Sequence, residues 1–563
     1  MRFLLISTLL FCTPSLLTLA QKVPSQGYHL PIGIPPLLAS NFGELRANHF
    51  HMGIDFKTNG KTGYNLYSID DGYVSRIKVS PYGYGKVIYI DHANGVTSVY
   101  AHCEEFKGEI DSLVRRTQRQ EQNYEVEIFP DKTELLVKRG QVIALSGNTG
   151  SSTAPHLHFE LRDTPTEHAL NPLVYGFDIP DSKAPEIRGL KIYAVSKEGY
   201  RYPGKGVYHT ATKGSSNYYV NGNTITVPGT YEVGSGGLGF AFDVIDRLDG
   251  ATNECGLYAS ILIVDGDTIF GQKIDRIPFE STRYVNCHKD YEEFGLKHRK
   301  LHKSFKTREN DLPIYTVPGL GIVPAHSDKG YKIKYIAWDV KGNRSTLEFT
   351  LKITPTTPGG DLNPFYGMDV LQPSQPMEVK AGTTTIEFPS GAVYEPLKIP
   401  ANKAATQIGD PEIPVHNSYL IRIKNTDTRD GKHYLEMISA GGKTKALEVK
   451  YDGDYITCEA RYFGRYSIKR DTIKPSITPL NFTAATKAYT RPLIQWKISD
   501  AGIGLADYDL FIDGEWQLLE YEYKNNTVTY KRPASMKGEK DILIRVKDAC
   551  GNVAEWKTRL SFP

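Results

Sequence analysis

The chain has 563 residues, far more than one hydrophobic core supports, and a prior of about 150 residues per domain gives roughly three to five units. Hydrophobic residues make up 40% and charged residues 23%, and the 36 Tyr, 51 Gly and 33 Pro favour strands joined by turns. A formal charge of +3 is small for this length and no Lys/Arg run or basic helix is present, which excludes a phosphate-binding stripe and with it nucleic acid as a partner.

At the N-terminus, Arg2, the apolar stretch at residues 3–11 and Thr18-Leu19-Ala20 predict a cleaved export signal over residues 1–20, leaving Gln21 first. A membrane anchor needs roughly 20 apolar residues, and Ser7, Thr8, Thr13, Pro14 and Ser15 interrupt this one. No later segment qualifies, so no transmembrane segment is expected after cleavage. Phe11 stands where lipid attachment at Cys12 would need a small residue.

Residues 21–180 read as one β unit, with period-two alternation at 85–90 and 95–100. Within it the polar stretch 104–138 predicts an inserted helix followed by a strand pair, either a solvated excursion or a flap over substrate. Beyond Pro180 the chain repeats itself. Asp181-Ser-Lys-Ala-Pro185 and Asp471-Thr-Ile-Lys-Pro475 open two segments; Gly256-Leu257 precedes Asp265-Gly266 by the interval that separates Gly504-Leu505 from Asp513-Gly514. Each copy closes with Asp-x-x-Gly-Asn, at Asp339 to Asn343 and at Asp548 to Asn552. The shared order predicts two related immunoglobulin-like β-sandwiches, 181–355 and 471–563, flanking a different β-rich module at 356–470 behind the linker Thr354-Pro-Thr-Thr-Pro-Gly-Gly360. The expected fold class is therefore mainly β. Five cysteines remain after cleavage (Cys103, Cys255, Cys287, Cys458, Cys550), with no CxxC spacing, so neither a disulfide framework nor a thiolate metal site is indicated. Cys255 with Cys287 is the one pair whose bridging stays open.

Candidate chemistry lies in four stretches of the first unit: His51-Met-Gly-Ile-Asp55, Tyr100-Ala-His102, Gly147-Asn-Thr-Gly150 and His156-Leu-His158-Phe-Glu160. A lone His-x-His means little, and a second copy, His49-Phe-His51, is present; the combination carries the weight. A catalytic zinc takes three His, Asp or Glu ligands and keeps one position open, and these residues can supply such a set. His156 and His158 on a strand would face one side, one able to bind metal while the other faces substrate. Gly53 would free the backbone to bring His51 and Asp55 to one ion.

Together with Phe42-Gly-x-x-Arg46, Asp71-Gly72, Gly83-Tyr-Gly85 and Gly140-Gln141, the four stretches resemble the lysostaphin or LytM-type zinc metallopeptidases over about residues 40–162. The resemblance implies a LytM-type antiparallel β-sheet peptidase domain of the duplicated hybrid motif fold and one Zn2+ per chain. It implies His51, Asp55 and His158 as ligands and His102 and His156 as unliganded catalytic histidines. It further implies peptidoglycan peptides as substrate, cut at cross-links or stem peptides by a zinc-activated water. With the export signal, the expected location is the periplasm, cell envelope or extracellular space. The 104–138 stretch is longer than the family usually has. The other function class is a catalytically silent scaffold that binds the wall or regulates another wall hydrolase. Silent forms would be expected to have lost a ligand, and this chain keeps all three.

His49 reads as a surface neighbour and His92 as structural, in a hairpin turn. Glu160 stays open between a hydrogen-bond partner behind the ligands and a simple strand position. Residues 31–48, which lead into His51, could lie across the groove as a resting inhibitor. The C-terminal sandwiches read as spacers or as docking surfaces for an envelope protein partner, since no clustered aromatic platform or charged cleft marks them.

Overall fold

In the computed structural model the described residues are 27–202, 206–228, 236–325, 329–354, 370–399, 407–425, 427–483 and 488–563. The expected export signal and residues 355–360 of the expected linker lie outside them. The protein is mainly β, as its strand-and-turn composition predicts.

The first sheet is built from β1 (Leu38–Ser40), β2 (Ile54–Lys57), β3 (Asn65–Tyr67), β4 (Gly72–Val79), β5 (Lys86–His92) and β6 (Val96–Phe106). It continues with β7 (Val126–Ile128), β8 (Leu136–Val137), β9 (Val142–Ser146), β10 (His156–Asp163) and β11 (Ala169–Leu170). The order is β1-β2-β10-β6-β5-β4-β7, with β9 joining β3 to β6. Residues 31–48 contribute β1, the edge strand, with Ser40 opposite Asp55. Phe159 anchors the core, its ring 5.3 Å from Tyr100, 5.5 Å from Phe177 and 6.3 Å from Phe56. All three are buried, and each such side chain contributes about 1.5–3 kcal/mol of transfer free energy. The sheet also recruits a strand from far along the chain: Ala169 of β11 pairs with Ile277 of Arg276–Ile277.

Helix α1 (Glu109–Glu121) forms in the insertion because Ile110, Leu113, Val114 and Gln118 fall on one buried face, with Glu109 and Asp111 in its first turn and Arg119 in its last. It stops at Gln122, whose left-handed backbone (φ 50°) returns its N–H to Gln118 O. Asp111, Arg115, Gln118 and Tyr124 face Leu518, Glu520 and Lys531 of the last sandwich. The insertion is thus a docking surface for another part of the same chain, which neither sequence alternative anticipates.

Behind this unit a ten-stranded sheet runs from Asp267–Lys273 to Leu301–Lys303. Its halves face each other over one core, since Phe242 on one stacks 3.8 Å from Tyr335 on the other. Residues 370–470 hold a five-stranded and a four-stranded sheet over a separate core, with a short pair at Val370–Leu371 and Leu397–Lys398. The last module packs two four-stranded sheets around the fully buried Trp496. The two repeated segments make matching contacts: Asn343 donates from N and Nδ2 to Asp339 (2.9 and 2.7 Å), as Asn552 does to Asp548 (2.8 and 2.7 Å). Asp265 and Asp513 both hold left-handed turn positions.

The modules close into a ring. Asn41 exchanges hydrogen bonds with Gly256, and Lys300 pairs with Glu44 at 3.2 Å. Arg201 pairs with Glu395 (3.0 Å), Lys432 donates to Cys550 O (2.7 Å), and Lys86 pairs with Glu520 (3.2 Å). Cys255 and Cys287 are separate buried free thiols, so the one bridge left open by the sequence is not formed; spacing alone carried no geometric information. Among the described residues no helix is long and apolar enough to cross a membrane.

Candidate active site

Antiparallel pairing of β2 with β10 sets Asp55 directly opposite His158, and directly opposed residues share a sheet face. His51 enters from the loop before β2. Gly53 makes that approach possible for a reason other than backbone freedom: a Cβ there would lie 2.4 Å from Phe159 O and 3.1 Å from His158 Cε1. The result is a tight triad. His51 Nε2 lies 3.1 Å from Asp55 Oδ1 and 3.1 Å from His158 Nδ1, and His158 Nδ1 lies 2.9 Å from Asp55 Oδ1.

Hydrogen bonds behind the triad fix which atoms face inward. His51 Nδ1 donates to Asn41 O (2.8 Å), and His158 Nε2 donates to Glu160 Oε1 (2.9 Å). The remaining nitrogens, His51 Nε2 and His158 Nδ1, therefore point lone pairs at each other and at the Asp55 carboxylate. Three acceptors in mutual contact repel unless a cation, either a metal ion or a proton, sits among them. His158 shows the proton alternative: burial would lower its pKa, but its bonds to Asp55 and Glu160 raise it to about 9. Burial opposes ionisation of Asp55, yet His51 and the histidine hydrogen bonds hold its carboxyl well below the usual range. The donor set, three protein ligand atoms within 4.8 Å of one another, is one that could hold a metal ion.

Glu160 is fully buried and is itself fixed by Arg162, whose Nε donates at 2.8 Å, and by the Tyr84 hydroxyl. Burial opposes its charge, but Arg162 and His158 bring it down to about 2. The open choice for Glu160 thus resolves to the hydrogen-bond partner behind His158. Arg162 extends the same alternating face, His156, His158, Glu160, Arg162, at the period of two residues that the strand sets.

His102 and His156 stand beside the triad, their rings 4.9 Å apart. His102 occupies a bulge, since Tyr100 to Cys103 of β6 spans Ile88 to Lys86 of β5, and its φ of 61° is left-handed. Its Nδ1 donates to Thr149 O at 2.8 Å. Burial, then the neighbouring His158 and His156, push its pKa down to about 3, so the ring is neutral at ordinary pH. His156 Nδ1 donates to Ala154 O (2.8 Å) and lies 3.0 Å from Ser152 Oγ, while Nε2 is 3.5 Å from Asp55 Oδ1. Both rings thus keep Nε2 as the lone-pair nitrogen. Gly150 permits this loop geometry: its φ is 68°, and a Cβ there would lie 2.3 Å from Gly85 N.

Residues 49–119 and 131–172 match Peptidase family M23, and residues 368–471 match the Zu5-like domain. The chain carries a peptidase M23 domain. Curated relatives include the peptidoglycan DD-endopeptidase ShyB of Vibrio cholerae, 36% identical over 111 residues, which are 20% of this chain and 20% of that protein. The DD-carboxypeptidase/endopeptidase Mpg of Neisseria meningitidis is 33% identical over 118 residues, 21% of each chain. The glycyl-glycine endopeptidase ALE-1 of Staphylococcus capitis is 32% identical over 111 residues, 20% of this chain and 24% of that one. The match spans about a fifth of each of the first two relatives. The family match skips residues 120–130, at the end of α1 and the loop behind it.

The other candidates of the M23 domain fall outside the cluster. His49 is exposed by surface area, its carbonyl accepts from Arg46 N at 3.0 Å, and partial burial with the neighbouring Arg46 lowers its pKa to about 4. His92 is buried, bonded through Nδ1 to Asp71 O and through Nε2 to Ser98 Oγ. Ser40, Asn41 and Glu44 carry no ligand signature in sequence, yet surround the triad: Ser40 Oγ donates to Glu44 and accepts from Arg46 Nη2 (2.8 Å), and lies 3.0 Å from His51 Nδ1.

Proposed function

We propose that the protein is an exported zinc metalloendopeptidase that hydrolyses peptide bonds in peptidoglycan, with His51, Asp55 and His158 as the ligands of one zinc ion per chain. The observation that carries this reading is the convergence of three lone-pair atoms, two of them on histidine rings whose far nitrogens are already occupied by Asn41 O and Glu160. Zinc at such a site supplies an activated water nucleophile near neutral pH and polarises the scissile carbonyl. Glu160, fixed by Arg162, keeps the proton of His158 on Nε2 and so keeps Nδ1 available.

His102 and His156 act as the proton-handling pair. Each holds a proton on Nδ1 against a backbone carbonyl and offers Nε2 as acceptor. A neutral ring can take the nucleophile's proton at Nε2; once protonated there, it can donate to the developing oxyanion or to the leaving amine. Peptidoglycan peptides as substrate rest on the relatives named as peptidoglycan DD-endopeptidase and DD-carboxypeptidase/endopeptidase. Export rests on the N-terminal signal pattern, and the modules behind the catalytic unit are read as spacers or docking surfaces for an envelope partner.

The test is metal content and cleavage of purified peptidoglycan by the full chain, with chelator and with His51→Ala. The expected result is one zinc per chain, chelator-sensitive release of new amino termini, and neither zinc nor release in the variant. Bound zinc with intact peptidoglycan would refute the endopeptidase reading.

A further inference from the structure

We propose that Lys524, in the last sandwich, is a positioning residue for His102 and His156. Its ammonium group donates to the carbonyls of Asn148, Gly150 (3.2 Å) and Ser152 (3.3 Å). An ammonium has three donors, and three of its four oxygen neighbours are these backbone carbonyls, the fourth being Glu522 Oε2 at 3.4 Å. The same loop, 147–155, holds both histidines: Thr149 O accepts from His102 Nδ1, and Ala154 O accepts from His156 Nδ1, with Ser152 Oγ beside it. Three carbonyl dipoles aimed at one point repel one another without a cation between them. Lys524 therefore selects the loop conformation in which both rings present Nε2.

The lysine is delivered by a rigid element. It sits in the turn between strands Glu520–Glu522 and Thr527–Lys531. Glu520 is clasped by Lys86 (3.2 Å) and Lys531 (2.8 Å), and Tyr523 lies 4.9 Å from Tyr82, ring to ring. Leu518 and Tyr508 pack against the core of the catalytic unit. Tyr82 opens the second loop of the site, whose Gly83 O accepts from Ser151 N at 2.8 Å and whose Tyr84 O accepts from His102 N at 2.9 Å. The sandwich thus grips both loops that flank His102 and completes the catalytic unit, beyond any role as a spacer. Its consequence for rate rests on the peptidase reading above.

The test uses the full chain and Lys524→Met, which keeps the aliphatic stem and removes the donors. Amide exchange at Ser151 and at His156, the first residue of β10, is expected to quicken about tenfold while β6 and the rest of β10, from Leu157 on, stay unchanged, which also reports an intact fold. Zinc content is expected to hold, and kcat to fall about tenfold or more with KM within about twofold, because the loss lies in orientation and not in binding. Unchanged exchange in the 147–155 loop would overturn the brace. Faster exchange with unchanged kcat would overturn the positioning role. A wild-type chain that binds zinc yet leaves peptidoglycan intact would remove the peptidase reading and the rate effect with it, and the exchange result would still decide the brace.

Discussion

Among the described residues, two kinds of three-residue cluster offer metal-ligand atoms, and they are built on opposite principles. In the M23 domain, His51, Asp55 and His158 turn their free acceptors toward one another because Asn41 O and Glu160 occupy the far side of each ring. In the sandwiches, Asp181, Asp246 and Asp339 form one cluster and Asp471, Asp500 and Asp548 its repeat. There the carboxylates mostly receive backbone and amide hydrogens: Asp548 from Asn552, Asp471 from Ile473 N and Ile503 N, Asp500 Oδ2 from Gly502 N and Gly504 N. They tie strand ends and turns together. Ligand-type residues close in space do not make a metal centre; what lies behind them, and which lone pairs it leaves free, does.

The contrast is expected to break most sharply at the three proposed ligands. His158→Ala is expected to remove bound zinc and to lower peptidoglycan cleavage by about 10³-fold or more, read by metal analysis and amine release. Glu160→Gln keeps all three proposed ligands and changes only the group behind His158. Zinc affinity in a competition titration is expected to fall roughly 10- to 100-fold.

The protonation of His158 gives a pH dependence. Its hydrogen bonds to Asp55 and Glu160 raise its pKa in the folded, metal-free chain to about 9 from the ordinary 6.5. The stabilisation it provides is therefore fully present below pH 6.5 and is lost as pH rises through 9. Zinc must displace that proton, so zinc affinity is expected to rise about tenfold per pH unit between 7 and 9, with one proton released per ion, measurable by titration in buffers of different ionisation heat.

The sandwich clusters provide the smallest effect. Burial and the neighbouring Asp181 raise Asp246 to about 8, so its contribution to stability is present below the unfolded value of 3.8 and fades as pH rises through 8. Asp246→Asn supplies a permanent donor in place of the proton, and is expected to raise stability at pH 8 by about 1 kcal/mol in denaturant unfolding while leaving zinc content unchanged. A fall in zinc content would erase the distinction between the two cluster types.

Much of this was legible in sequence. The mainly β fold follows from alternation and turn residues, which act locally. His51, Asp55, His102, His156 and His158 could be named because each sits in a short motif of fixed spacing, and the structure gathers them into one cluster. Contacts across long separations carry no local signal. Asn41 and Ser40 orient His51 through a backbone carbonyl and a hydroxyl; Arg276–Ile277 joins a sheet whose other strands end at Leu170; Lys524 reaches a loop 372 residues earlier. The reason for Gly53 was also hidden, since a close approach to Phe159 O depends on β10, which enters the chain a hundred residues later. Cysteine spacing misleads for the same reason: Cys255 and Cys287 are buried in separate places, and Cys287 Sγ accepts from Thr307.

The most direct test is a crystal structure of the zinc-soaked full chain with anomalous data at the zinc edge. The account predicts one strong peak, bonded at about 2.0–2.2 Å to His51 Nε2, Asp55 Oδ1 and His158 Nδ1. No peak there, or a stronger one among Asp181, Asp246 and Asp339, would contradict it.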